Sequence, residues 1–214
     1  MHGGFPGVVH TSWVLQHPGS VDNAPTARVG DHGGVTSPSS ELIVLVDDDG
    51  RAIGTMPKPL VHHGETPLHR AFSAYLFGDD GRLLVTRRAS DKQTFPGMWT
   101  NTVCGHPGPG EDDAGAIARR AREELGLGVT DLRPALPGYR YRAEFRGVVE
   151  NEICPVYLGR FTGDPAPDPA EVGEWELLDW AAFRSRQESE GDAWSPWCRE
   201  QARQIEDAGL VPAN

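Results

Sequence analysis

The hydrophobic pattern of the chain becomes regular at "ELIVLVDDDGRAIGTMP", where an apolar run ends in Asp49-Gly50 and a second extended run follows. Asp-Gly between β-branched runs predicts a hairpin, because glycine takes the left-handed backbone that such turns need. The pattern repeats in "HRAFSAYLFGDDGRLLVTRRA", with a turn at Asp80-Gly81 and a second arm ending in Arg87 and Arg88. This predicts a second hairpin, with Arg88 facing either solvent or a phosphate.

From Glu111 to Leu125 the period changes. Ala114, Ile117, Ala118, Ala121 and Leu125 recur at three- and four-residue steps, acidic residues lead, and Gly126 stands where a C-cap is expected. The segments "YRYRAEF" and "ENEICPVYLGRFT" read as strands, and a Pro- and Asp-rich loop leads to "EWELLDWAAF". In "WSPWCREQARQIEDAG", Ser195 as N-cap and Pro196 as first helical residue predict a closing helix. Hairpins with two or three helices that do not alternate with them predict an α+β fold, a mixed sheet with helices packed on it. No internal repeat is visible.

Residues 1–40 are rich in Gly, Pro, Ser, Thr and His without periodicity and read as a disordered leader, residues 41–208 as one domain, and residues 209–214 as a tail. With 214 residues, 38% of them hydrophobic, the chain is long enough for one good core. It carries no apolar run long enough to span a bilayer and no secretory signal, so the expectation is a cytoplasmic protein without a membrane partner, a monomer or weak dimer. Cys104, Cys154 and Cys198 form no C-x-x-C pair, which argues against a disulfide framework and a cysteine zinc ribbon. A net charge of −11 disfavours nucleic acid, and an anionic substrate would need cations to hold it.

Several polar residues do not fit a bland core. Cys104 and His106 share a Gly- and Pro-rich loop, "TNTVCGHPGPGEDD", which as a pair could be a metal site, a nucleophile or an ordinary turn. Glu124 falls on the helix face that Ile117 and Ala121 bury, so it needs a partner, either Arg120 or another arginine in an ion pair, or a metal. In "ENEICPVY" the two-residue strand period puts Glu150, Glu152 and Cys154 on one side. Two neighbouring carboxylates repel unless a cation or proton lies between them, or unless they face solvent. His62, His69 and His106 add nitrogen donors, and such a mixed N/O set suits Mn²⁺, Mg²⁺, Zn²⁺ or Fe²⁺ without choosing among them.

The segments "TRRASDKQTFPGMWTNTVCGHP", "YRYR", "ENEICPV" and "SPW" resemble, in order and spacing, type I isopentenyl-diphosphate isomerase, a Nudix-related family that interconverts isopentenyl and dimethylallyl diphosphate. The resemblance runs from about Glu41 to Ala208 and implies a Nudix-like α/β/α sandwich with a mixed sheet flanked by helices. Against the Nudix frame G-x5-E-x7-R-E-x2-E-E-x-G, Gly105, Glu111, Arg119, Glu123, Glu124 and Gly126 match. Arg120 stands where a hydrolase carries a metal-holding Glu, which fits the isomerase branch and counts against a Nudix hydrolase.

Carried over residue by residue, the resemblance implies a main metal, Mn²⁺ or Mg²⁺ with Zn²⁺ as an alternative, on His62, His69, His106, Glu150 and Glu152, with His62 preferred to His63 by its spacing to His69. Glu124 would meet a Mg²⁺ bridging to the substrate diphosphate. Lys58, Arg88, Lys92 and Arg120 would clamp that diphosphate, and Trp197 would face the carbocation. Cys104 and Glu152, with Tyr141 beside the carboxylate, would carry the proton transfers, and the resemblance does not say which gives and which takes. Cys154 and Cys198 read as packing residues.

Overall fold

The computed structural model describes residues 41–212. The expectation of a disordered leader at 1–40 and the last two residues of the tail lie outside them. The elements are β1 (Leu42–Val46), β2 (Ala52–Pro57), α1 (Lys58–Val61), β3 (His69–Arg70), β4 (Phe72–Phe77), β5 (Leu83–Arg88), β6 (Trp99–Thr100), β7 (Val103–Gly105) and α2 (Asp113–Leu125). They continue with β8 (Gly128–Leu136), β9 (Arg140–Phe145), β10 (Val148–Ile153), β11 (Val156–Thr162), β12 (Val172–Leu178), α3 (Trp180–Glu190) and α4 (Pro196–Asp207).

The strands make two mixed sheets rather than the single one expected from sequence. One runs β2-β1-β3-β10-β9; the other runs β12-β5-β4-β11-β8, with β6 added on β5 and β7 on β4. The chain passes between sheets three times, returning between β8 and β9; the other two crossings lie side by side, at Ala71 between β3 and β4 and at Cys154-Pro155 between β10 and β11. Both pairs, β3 with β10 and β4 with β11, are parallel. Bonds from Ala71 N to Ile153 O (2.9 Å) and from Ser73 N to Pro155 O (3.1 Å) stitch the two crossings together. Pro155 has no N–H to give a ladder, so the apolar run "ENEICPVYLGRFT" breaks there into strands of different sheets.

The first hairpin forms as read, β1 against β2 with Gly50 at φ 79°. The second closes only at Phe77 opposite Leu83, after which its arms splay. β6 pairs with one arm and β7 with the other. The Thr102 hydroxyl spans the gap between the arms, accepting from Leu76 N at 2.8 Å and donating to Leu84 O at 2.6 Å. Asn101 donates its amide to Ala74 O and Val103 O. These buried side chains satisfy backbone groups that a continuous ladder would have paired.

β4 is buried on both faces. Phe72, Ala74 and Leu76 meet Ile117, Ala121 and Leu125 of α2, whereas Tyr75 and Phe77 meet the core that includes Phe183 of α3 and Trp197, Cys198 and Ile205 of α4. The helices therefore lie on opposite faces of the second sheet, as an α/β/α sandwich requires. α2 starts two residues later than the sequence suggests. Asp112 is its N-cap, accepting from Gly115 N at 2.7 Å, and Gly126 closes it at φ 71°. β8 escapes the sequence reading, since "GVTDLRPAL" contains Pro134 and has no clean alternation. No helix among the described residues is long and apolar enough to cross a membrane.

Phe183 is fully buried, with Trp180, Trp194 and Tyr75 around its ring at centroid distances of 5.1, 5.3 and 6.3 Å. Phe183→Ala should cost about 3–5 kcal/mol of unfolding free energy, read as a lowered urea midpoint with an unchanged slope. A loss under about 1 kcal/mol would mean that α3 is not anchored through this ring.

Candidate active site

His62 is the residue that ends α1, His69 opens β3, His106 follows β7, and Glu152 lies on β10 directly opposite His69 in the parallel register. All four are buried, and one ligand atom from each lies within 4.8 Å of the others. Glu152 Oε1 is 3.4 Å from His69 Nε2 and 3.3 Å from His106 Nε2. Glu150, on the same face of β10, reaches His62 Nε2 at 3.0 Å and stands at the edge of this group. His63 is exposed, and its Nδ1 accepts from Glu65 N, so the histidine that turns inward is His62.

Several nitrogen and oxygen atoms here lack protein partners. His62 Nε2, His69 Nε2, His106 Nδ1 and Glu150 Oε2 are buried with no hydrogen bond, the short contacts to His62 and His69 being misaligned for one. His69 Nδ1 faces Pro67 O at 2.9 Å, which makes Nδ1 the donor and leaves Nε2 as a free lone pair. Buried polar atoms left without partners, in a set of imidazoles and a carboxylate whose ligand atoms lie within 4.8 Å of one another, fit a divalent cation of the kind that takes both donors together. Burial keeps the His106 imidazole below its ordinary value, toward the neutral form a ligand needs. Burial alone would raise the Glu152 carboxyl, but the hydrogen bond to His106 and the charge of the two neighbouring imidazoles hold it well below the usual carboxylate range.

The pocket beside this group, about 360 Å³, is lined on one side by Lys58, Arg88, Lys92 and Arg120 and on another by Cys104, Tyr141 and Trp197. Three of the four cations are balanced by carboxylates. Lys58 Nζ meets Glu41 at 2.7 Å, Arg120 meets Glu124 at 2.5 Å and Glu171 at 3.5 Å, and Lys92 also pairs with Glu171. Arg88 instead donates to Thr94 O and Oγ1 at 2.8 to 3.1 Å, and its guanidinium lies 6.0 Å from the Trp197 ring centre. Glu124 is ion-paired with Arg120 and lies outside the histidine group. Glu111 and Arg119, paired at 2.8 Å, fix the loop after His106, whose carbonyl Arg119 also reaches at 3.3 Å.

Sequence reasoning missed Glu41, Glu171 and Asn101. Glu41 precedes the first strand and Glu171 sits in an aperiodic loop, so nothing local marks either. For Asn101 the only signal was a polar run, Thr100 to Thr102, between two apolar positions.

Cys104, on β7, donates its S–H to Asn101 Oδ1 at 3.1 Å, and burial pushes the thiol up to about 11. It is therefore a thiol near neutral pH. Tyr141 is paired across the ladder with Glu152, and burial, with the charge of that carboxylate, holds its phenol well above the ordinary value. Its ring lies 5.5 Å from Trp197, which is buried, with Phe95 edge-on at 5.0 Å. The arrangement sets a thiol and a carboxylate in one pocket with aromatic lining, next to a group that could hold a metal ion and a cluster of positive charge.

Residues 67–198 match the NUDIX domain. The chain is 56% identical over 173 residues to an "isopentenyl-diphosphate Delta-isomerase" of Mycolicibacterium vanbaalenii, covering 80% of this chain and 95% of that protein. It is 48% identical over 175 residues to a protein of the same name from Paenarthrobacter aurescens, covering 81% and 95%. Among solved structures, a Deinococcus radiodurans protein superposes with a TM-score of 0.60 at 23% identity, over 77% of this chain and 98% of its own. A MutT NUDIX hydrolase of Burkholderia pseudomallei gives 0.51 at 20% identity, over 64% and 98%. At such identities the structural likeness speaks for the fold alone.

If the histidine group holds a divalent ion, chelated protein should gain thermal stability on adding Mn²⁺ or Zn²⁺, by about 2.7 kcal/mol at a hundredfold excess over Kd. His69→Ala should remove most of that gain, checked by thermal melts and metal content. A gain that survives the substitution in full would place the ion elsewhere.

Proposed function

The chain belongs to the isopentenyl-diphosphate Delta-isomerase family and carries its NUDIX domain, and on that premise we propose that it moves the substrate double bond by proton transfer between Cys104 and Glu152. The reaction interconverts isopentenyl and dimethylallyl diphosphate. It needs a proton added to the terminal alkene carbon and another taken from C2, through a tertiary carbocation. The observation that carries the assignment is the pairing of a thiol held protonated by an acceptor with a carboxylate held ionised between two imidazoles, both lining one pocket. Two titratable groups pushed apart in this way divide naturally into acid and base.

In this reading the Cys104 S–H turns from Asn101 to the alkene and gives up its proton, while Glu152 takes the proton from C2. Tyr141 steadies Glu152 and closes the wall beside it. Trp197 and Tyr141 keep water from the cation, and the face of the Trp197 indole favours positive charge. Lys58, Arg88, Lys92 and Arg120 receive the diphosphate, so that a chain of net charge −11 presents its substrate with a locally positive lobe. Phosphate oxygens would displace Glu41 and Glu171 from the cations they now balance.

His62, His69, His106 and Glu152, with Glu150 at the edge, would hold Mn²⁺, Mg²⁺ or Zn²⁺, and Glu124 would hold the Mg²⁺ that arrives with the diphosphate. Such ions supply charge that lowers the basicity of Glu152 and neutralises the head group. The protein works on a small diphosphate in the cytoplasm.

Cys104→Ala and Glu152→Gln should each lower turnover by at least about a thousandfold without loss of fold, because each removes one of two obligatory proton transfers. Product formation and phosphate release, measured together with circular dichroism, check this. Near-wild-type turnover in either folded variant would overturn the role given to that residue, and released phosphate would point to a hydrolase.

A further inference from the structure

Cys104 has two polar neighbours of opposite character. Asn101 uses both amide protons on the carbonyls of Ala74 (3.0 Å) and Val103 (3.1 Å), so its Oδ1 can only accept, and it faces Cys104 Sγ. Thr100 donates its hydroxyl to the same oxygen at 3.0 Å. Such an acceptor suits a thiol and offers nothing to a thiolate.

Ser73 is the other neighbour. It is fully buried and lies directly across the β4–β7 ladder from Cys104. Gln201 of α4 donates Nε2 to Ser73 Oγ at 3.1 Å, while its Oε1 accepts from the Tyr75 hydroxyl at 3.0 Å. With Oγ engaged as an acceptor, the Ser73 proton has two sulfur atoms in reach, Cys104 Sγ and Cys154 Sγ, each at 3.4 Å. Cys154 is buried and has no part in the chemistry proposed above.

We infer that Ser73 is a positioning residue for the isomerisation, its hydroxyl turning from Cys154 to Cys104 as the thiol proton leaves and holding the sulfur in place as an anion. The inference rests on the proton-transfer role given to Cys104. In that step the S–H bond breaks, a C–H bond forms at the terminal alkene carbon, and the electron pair stays on sulfur. The C2 proton passes to Glu152, and Ser73 donates a hydrogen bond without giving up its own proton. A buried anion with no donor is costly, and a charge-assisted bond is among the stronger ones available to it. Cys154 serves as the resting acceptor, and Gln201 ties the closing helix to the orientation of the serine.

The test compares kcat and KM for the wild type, Ser73→Ala, Ser73→Cys, Ser73→Thr and Cys104→Ala, with metal content and thermal midpoint recorded for each. Ser73→Ala should lose about ten- to a hundredfold in kcat while KM stays within about twofold and metal content is unchanged. Ser73→Cys fills the space with a weak donor and should follow it, which preserves the test if the alanine variant does not fold. Ser73→Thr keeps the hydroxyl and should recover most of kcat. Alanine or cysteine variants within about twofold of wild-type kcat would overturn the inference, as would a folded threonine variant as slow as alanine. Undiminished turnover in Cys104→Ala would instead remove the premise about Cys104.

Discussion

The parallel pairing of β3 with β10 is the constraint on which the site depends, because it sets His69 directly opposite Glu152. Two residues further along each chain the strands leave one sheet for the other, and β4 and β11 continue the pairing in parallel. His69, Glu150 and Glu152 thus sit on one side of a seam, and Ser73, Cys104 and, just past β7, His106 sit on the other. The double crossing brings His69 and Glu152 up to the thiol, whereas His106 is only two residues from Cys104 in sequence, and strand backbone on both sides of the seam keeps the arrangement fixed.

Around the seam the electrostatics divide the pocket. Carboxylates of Glu41, Glu124 and Glu171 balance three of the four cations, so a partly buried positive cluster is tolerated in the folded protein. A diphosphate can then exchange for those carboxylates without the protein having to stabilise bare charge first. Tyr141 and Trp197, the latter backed by Phe95, supply apolar lining and two ring faces, suited to a cation in transit and unsuited to water.

Much of this was legible in sequence where local rules act alone. The first hairpin, the body and C-cap of α2, the Ser195-Pro196 start of α4 and the shared face of Glu150 and Glu152 all follow from period and capping. Ser195 is a different kind of cap than expected, since its hydroxyl donates to Thr100 instead of accepting from the helix. The second sheet was not legible, because Pro155 interrupts a run that otherwise reads as one buried strand. Nor was the splayed second hairpin, in which Thr102 and Asn101 replace ladder bonds that an Asp-Gly turn leads one to expect. The partners of the cations stayed hidden for the same reason: Glu41 and Glu171 reach Lys58, Lys92 and Arg120 only through tertiary structure.

The account stands or falls on proton transfer from an exchangeable protein group to the terminal alkene carbon. Incubating the metal-loaded protein with isopentenyl diphosphate in D₂O, and following the products by NMR, tests it directly. Dimethylallyl diphosphate with deuterium in the newly formed methyl group is the predicted result. Dimethylallyl diphosphate free of deuterium would mean that hydrogen moves within the substrate and would contradict the assignment of Cys104 and Glu152.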